Sequence, residues 1–429
     1  MGQALKRGES EDLDVRTSSG SSTGDDFRVA VPVDVDGADL NPARKRPIIG
    51  VESAHVARAS ERICADDARG VPTIPELAYA DIAAAKVSDS AGAAIRGSGV
   101  AIVRGVFPAA QATEWFDEIG RYLDENAYEE KEAENRNLDK YFSALKAAKP
   151  QIFNVYWSKP QIRARQDPRL AETRAFLDRL WTNFEGVFDP NLQCTYADRI
   201  RRRQPGDTTL GLSPHMDAGT VERWIDPGYQ RVYQKVFAGD WRGYDPFDAT
   251  HRLDTREIPS PAVASVFRTY QGWTALTRQG PQDGTLRLIP LATGICYVLL
   301  RAIQDDVPED DLCGAAPGRA LSISPQWHAD LLAGAVSIPE VNPGDTVWWH
   351  TDVCHAVADK HAGQEYASVI YIGSAPDCVK NRAYLPRQKA AFLAGHSPPD
   401  FAAMNLEVDF KGRATAADLT ELGRRQMGF

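Results

Sequence analysis

Leu210-Gly-Leu-Ser-Pro-His215-Met-Asp217 is a short apolar run that ends on a histidine and an aspartate two positions apart. On a strand, alternate side chains share a face, so His215 and Asp217 can aim at one point and offer a metal one nitrogen and one carboxylate. The third ligand then has to come from a distant strand. Gly344-Asp-Thr-Val-Trp-Trp-His350-Thr-Asp-Val-Cys-His355 is a Gly-Asp turn followed by an aromatic strand and two histidines. Five residues apart on a strand, His350 and His355 face opposite sides, and the residues alone leave both open as the third ligand. Two histidines and one carboxylate on one face of an octahedral metal leave three positions free, which suits Fe(II) holding a bidentate oxoacid together with O2. An HxD alone is more often ordinary strand or turn chemistry, and a histidine after Trp-Trp is more often a core residue. The order carries the argument. Among eight histidines, one ends an apolar run in HxD and another follows a Gly-Asp turn and a strand about 140 residues later.

Outward from these segments, the chain from about residue 190 is a series of short β-like runs: Leu210–His215, Ala264–Thr277, Thr285–Leu291, Ile295–Leu300, Ala335–Ile338, Asp345–Trp349 and Ala367–Ile372. Turns such as Gly280-Pro-Gln-Asp-Gly284 and Asn342-Pro-Gly-Asp345 separate them. Many short strands between turns suggest a sandwich or barrel. The aromatic, Asp- and Gly-rich stretch 224–262 looks like a long insertion whose Tyr229, Tyr233 and Trp241 could form a lid. Towards the N-terminus the texture is helical. Ala78–Ile95 is Ala-rich, Gly97–Phe107 is a buried strand bounded by glycines, and Pro108 opens a helix with Trp115, Phe116, Ile119 and Tyr122 on one stripe. Further helices are expected over 125–150 and about 168–186, the latter with Leu177, Leu180, Trp181 and Phe184 on one side, and 379–429 returns to helix and loop. The expected fold is α+β: a double-stranded β-helix (jelly-roll, cupin-like) core with flanking helices. Residues 1–45, rich in Ser, Gly, Asp and Arg, are expected to be a flexible tail, and 46–429 a single domain with a helical N-terminal part, the insertion and a helical C-terminal extension.

At 429 residues, 43% apolar and 25% charged, the chain has the composition of an ordinary globular protein. Its net charge of −10 argues against a nucleic-acid partner, and the basic run Arg199, Arg201, Arg202 and Arg203 is read as a solvated turn. Six cysteines, at 64, 194, 296, 313, 354 and 378, form no CxxC pair and read as reduced thiols. No signal peptide and no membrane span are legible, so a cytoplasmic protein acting on a small molecule is expected, with oligomeric state open.

Longer phrases carry a family resemblance. Tyr270-Gln-Gly-Trp-Thr-Ala-Leu-Thr-Arg-Gln-Gly-Pro-Gln-Asp-Gly-Thr-Leu-Arg-Leu-Ile-Pro290 resembles the strand-turn-strand after the HxD of phytanoyl-CoA dioxygenase-like enzymes. Three further phrases, Pro205–Trp224, Gly239-Asp-Trp-Arg-Gly-Tyr-Asp-Pro-Phe-Asp248 and Gly344–His355, make the chain from about 45 to its end similar to the YbiU-like family, placed among iron- and 2-oxoglutarate-dependent oxygenases. The resemblance implies Fe(II), 2-oxoglutarate and O2 as cofactor and cosubstrates. It implies oxidation of an unactivated C–H of a metabolite, by default hydroxylation, with release of succinate and CO2. It favours His355 over His350, so that the metal and catalytic residues would be His215, Asp217 and His355, and it puts Trp273 inside the barrel beside the iron. One departure stands out. Relatives often carry an Arg or Lys about ten residues past the distal histidine to hold the far carboxylate, whereas Glu365-Tyr-Ala-Ser-Val369 has none. Arg268 and Gln271, then Arg223, are the substitute contacts expected. A cupin-like metal enzyme without 2-oxoglutarate, and a non-catalytic binding protein on the same fold, are the rival readings.

Overall fold

Extended segments, the longer of them buried on both faces, run through the interior of the protein, a computed structural model that describes residues 42–135, 138, 151–208, 212–308 and 310–429, with side chains from Glu52 onward. The strands in chain order are β1 Glu76–Ala78, β2 Val100–Arg104, β3 Ile152–Phe153, β4 Asp189–Gln193, β5 Ile200–Arg203, β6 His215–Met216 and β7 Tyr270–Ala275. They continue with β8 Leu286–Leu288, β9 Leu321–Ser322, β10 Val336–Ser337, β11 Thr346–His350, β12 His355–Val357, β13 Ala367–Ser374 and β14 Pro376–Asp377. A seven-stranded mixed sheet runs β1-β2-β11-β7-β13-β5-β3, a five-stranded sheet runs β10-β8-β12-β6-β9, and β14 pairs with β4. From β5 to β13 the chain passes back and forth between the two larger sheets. β5, β7, β11 and β13 lie in the larger one, and β6, β8, β9, β10 and β12 in the smaller.

The period of two sorts the larger sheet's side chains into two layers. Val347 and Trp349 of β11, Trp273 and Ala275 of β7 and Val369 of β13 form one buried cluster with Leu286 and Leu288 of β8 and Val336 of β10, so the two sheets face each other across a shared apolar layer. The alternate residues Ala101, Val103, Trp348 and Ile370 point the other way, into a cluster with Trp115 and Ile119 of the helix Ala109–Glu125 and Leu170 and Leu177 of the helix Pro168–Asp178. Gly272 has no room for a side chain. A Cβ there would lie 2.6 Å from the Val347 carbonyl oxygen and 2.8 Å from the Trp348 ring.

Several expectations need correction. Ile295–Leu300 is not a strand but lies in the helix Gly294–Arg301, buried along its whole apolar length. A short apolar run covered on every side has no amphipathic period to tell helix from strand. The Ala-rich segment 78–95 is not one helix. It breaks after Tyr79–Ala83, and a second helix, Asp89–Ser98, starts where the Ser88 hydroxyl accepts the Ala91 N–H. The supposed tail overlaps structure at its end, because Pro42 opens the helix Pro42–Ala68 at a position that needs no N–H donor. The rest of 1–45 lies outside the described residues, as do 209–211 at the start of the Leu210–His215 run and most of 136–150. The expected helix over 168–186 ends at Asp178.

The basic run is also not a solvated turn. Arg201, Arg202 and Arg203 belong to β5, and Arg203 is fully buried, donating to the carbonyls of Gly284 and Asp359. The stretch 224–262 folds as short helices, Glu222–Ile225, Pro227–Val232 and Gln234–Phe237, with a 3-10 turn at Trp241–Gly243. Tyr229, Tyr233 and Trp241 are no lid. All three are buried in a second core with Ile295, Val298 and Leu299 of the helix Gly294–Arg301.

Candidate metal centre and its cavity

His215 of β6 and His355 of β12 are direct cross-strand partners, which places their rings on one face with centroids 4.3 Å apart. Asp217, two residues past His215, completes the group. Its carboxylate oxygens lie 3.5 Å from His215 Nε2 and 3.3 Å from His355 Nε2. Among the described residues, this is the one group of three such side chains whose ligand atoms all lie within 4.8 Å of one another. An octahedral metal with bonds of about 2.1 Å spaces its adjacent ligands about 3 Å apart, close to the two distances seen.

The hydrogen bonds explain why the rings point as they do. His215 Nδ1 lies 2.6 Å from the Ser213 carbonyl oxygen and His355 Nδ1 lies 3.1 Å from that of Val353. With Nδ1–H donating to a carbonyl, each ring leaves its Nε2 facing Asp217 free to ligate. Burial pushes the His215 imidazole down to about 4, so it is neutral at ordinary pH. Burial would raise the Asp217 carboxyl, but the two imidazoles and the more distant Arg268 guanidinium hold it well below the usual carboxylate range. Three acceptors converging without a donor need a cation between them, so the residues present fit a divalent metal.

His350 takes no part. It lies on the opposite face of β11 from Trp349, stacked on Trp181 with centroids 5.1 Å apart and beside Phe247, and its Nδ1 accepts the Asp352 N–H. Burial pushes it down to about 4.

The three residues open onto a cavity of about 1030 Å³, its mouth included, between the two sheets. Trp273, Gln271 and Arg268, three of the four cofactor contacts expected from sequence, line it. The fourth, Arg223, does not. It is fully buried outside the cavity, where it donates to Gly219 O and, at 2.7 Å, to Asp352. Arg252 and the Tyr233 hydroxyl bind the same carboxylate, and the two guanidinium groups hold it well below the usual range against the effect of burial. The carboxylate 129 positions away, not neighbouring Glu222 or Asp226, is the partner that local sequence could not supply.

Three further residues line the cavity. Trp349 packs against His355 with centroids 5.1 Å apart, and its indole N–H has no partner among the described residues. Tyr371 faces the same space from β13. Arg201 is 6% exposed and lines the cavity, yet makes no ion pair among the described residues; its guanidinium donates to Gly284 O at 2.8 Å. Burial pushes it down to about 10. The signal that could have found it is the alternation within β5, where Arg201 faces inward and Ile200 and Arg202 face the helices.

A family model described as Gig2-like matches residues 41–429. The Escherichia coli K12 protein YbiU, named as uncharacterized, is 44% identical over 382 residues, covering 88% of this chain and 90% of its own. Two crystal structures of bacterial proteins superpose closely. A hypothetical protein from Escherichia coli has a TM-score of 0.82 at 42% identity over 90% of this chain and 94% of that one. A Salmonella typhimurium LT2 protein provisionally named an oxidoreductase has a TM-score of 0.84 at 42% identity over 90% and 93%. The Candida albicans protein of GlcNAc Inducible Gene 2 has a TM-score of 0.69 at 27% identity over 91% and 90%. No helix among the described residues is long and apolar enough to cross a membrane.

Proposed function

The chain belongs to the Gig2-like family, and we propose that it is an Fe(II)- and 2-oxoglutarate-dependent oxygenase on a double-stranded β-helix core. The observation that carries this reading is the convergence of His215, Asp217 and His355 at one end of a cavity between two facing sheets. The passage of the chain back and forth between those sheets supports the core assignment, and the provisional name of the Salmonella relative agrees with redox chemistry. His215, Asp217 and His355 would hold the iron on one face and leave the other face for small molecules. The bound metal would supply activation of O2 coupled to decarboxylation of 2-oxoglutarate, so that a substrate C–H becomes C–OH while succinate and CO2 leave.

The chain's own contribution is orientation and a dry site. From His355 the wall continues to Val357, on the same face about 7 Å deeper, beside its partner Leu286. Opposite them is Val369, which stands in the stretch where the downstream Arg was sought, and Val369 pairs directly with Arg201 on β5. A buried guanidinium without an ion pair is costly, and a carboxylate reaching it from the metal end would relieve that cost. Arg201 is therefore the residue assigned to the far carboxylate of 2-oxoglutarate, and the neighbouring strand fills the place that β13 leaves to valine.

Anaerobic titration of the Fe(II) protein with 2-oxoglutarate tests the reading. A visible charge-transfer band should appear in the parent and be absent from His215→Ala and Asp217→Ala, and succinate should form in air. A metal-loaded parent that gives neither band nor succinate would favour a metal enzyme of another kind.

A further inference from the structure

Arg268 and Gln271 are left over once Arg201 is assigned. The two converge across β13. Gln271 is the register partner of Gly373, and a Cβ on Gly373 would touch Arg268 Cδ at 3.5 Å, so the arginine stem lies over that glycine, next to Gln271. What fixes the Arg268 guanidinium is an aromatic face, not a carboxylate, for it sits 5.4 Å from the centre of the Tyr196 ring and has no hydrogen bond or ion pair among the described residues. Stacking uses the flat face of a guanidinium and leaves its edge donors available. Gln271 is 4% exposed, yet neither its amide oxygen nor its amide nitrogen has a partner among the described residues. The indole N–H of Trp349, across the strand pair from Gln271, is equally without one. Buried polar groups in native proteins are normally satisfied, so these atoms, aimed into a cavity, mark a place where a polar ligand belongs.

We infer that Arg268, Gln271 and Trp349 form the subsite of the primary substrate, and that it selects small carboxylic acids carrying a hydrogen-bonding group on the α-carbon, such as α-amino or α-hydroxy acids. The inference rests on the oxygenase reading above. Arg268 takes the carboxylate through paired N–H donors, and the Gln271 amide, able to donate and accept, takes the α-substituent. Asp198 and Arg199, which line the same cavity, pair with each other at 3.4 Å, and Asp400 lines it too, which argues against a dianion such as a phosphate ester and favours a single negative charge. The subsite lies on the metal side of the cavity, and Arg201 on the far side keeps the two acids apart.

The test uses the full chain loaded anaerobically with Fe(II) and 2-oxoglutarate. The proteinogenic L-α-amino acids, with lactate, phenyllactate and mandelate as the hydroxy-acid arm and the corresponding carboxamides as controls, are screened by thermal melting and by perturbation of the charge-transfer band. At least one free acid should bind and its carboxamide should not. Arg268→Gln and Gln271→Leu should each weaken that acid at least about tenfold, with the 2-oxoglutarate Kd changed less than about twofold. Arg268→Lys, which keeps the charge but not the paired geometry, should lie between. Failure of every acid to bind, or unchanged binding in both variants, overturns the subsite. Loss of 2-oxoglutarate binding in Arg268→Gln overturns it too, by giving Arg268 to the cosubstrate. If the parent shows no charge-transfer band, the oxygenase reading is what fails, and melting of the Fe(II) protein with the same acids still decides the subsite.

Discussion

A buried charge with no opposite charge beside it states what is missing from a protein interior. Arg223 and Arg201 illustrate the two outcomes. Arg223 meets Asp352 in a closed pair and is structural, whereas Arg201 meets only a carbonyl and an open space. Replacing Arg201 by Met should therefore raise the 2-oxoglutarate Kd at least about tenfold while leaving Fe(II) affinity near that of the parent, because His215, Asp217 and His355 sit on β6, just past its end and on β12, and not on β5. Calorimetric titration of metal and cosubstrate in turn separates the two quantities, and equal loss of both would argue for a general structural role. The sequence read the group of His215, Asp217 and His355 more clearly than it read Arg201. His215 and Asp217 announce themselves through a spacing of two, which only strand geometry has to supply. Arg201 is hidden among three other arginines, and nothing local distinguishes the inward side chain from Arg202, whose guanidinium stacks on Phe116.

At the level of elements, uniform burial left the type of element undecided: β7 and β11 are buried throughout and are strands, whereas Gly294–Leu300 is equally buried and helical. β2 and β11 were found because glycines and turns bracket them. The helix Gly294–Arg301 was taken for a strand because every residue from Gly294 to Leu300 is buried. The choice between His350 and His355 is likewise a matter of elements. β11 ends at His350 and β12 begins at His355, so the chain turns between them and brings His355 into the opposite sheet. A tight joint within the larger sheet is at Gly272, where β7 and β11 and the Trp348 ring close on one Cα. Gly272→Ala should lower stability by about 1–3 kcal/mol, read as a reduced midpoint in urea, since the methyl must displace a backbone carbonyl as well as a ring. An unchanged midpoint would show that the strands can separate there at no cost.

Across the whole molecule, one of the ties between the C-terminal segment and the N-terminal helices is a buried carboxyl, beside the Asn126–Lys411 hydrogen bonds and the Tyr122–Phe410 ring contact. Glu407 accepts from the Tyr122 hydroxyl at 2.7 Å and from the backbone N–H groups of Tyr156 and Trp157. Burial outweighs these bonds and raises its pKa from 4.5 to about 7. Between those two values the folded protein holds the proton more tightly than the unfolded chain, so rising pH removes stability, by about 3 kcal/mol across the window. Glu407→Gln has no proton to exchange there. Denaturation at about pH 5 and about pH 8 should show the parent losing ground to the variant as pH rises, and a constant difference would mean that the carboxyl does not titrate there. The insertion at 224–262 was legible as a separate texture but not as a second core, because its partners Ile295, Val298 and Leu299 come much later in the chain.

The pairing of His215 with His355 also bears on how the protein matures. During synthesis, β6 and the residue after it leave the ribosome with one histidine and one carboxylate, and β12, which completes the set, follows only when about 140 more residues have been made. Closing so long a loop is entropically costly, and the sheet must already be assembled for the two strands to meet. A nascent chain therefore lacks the complete group of three side chains, and any metal that the group takes up would be bound by the finished fold.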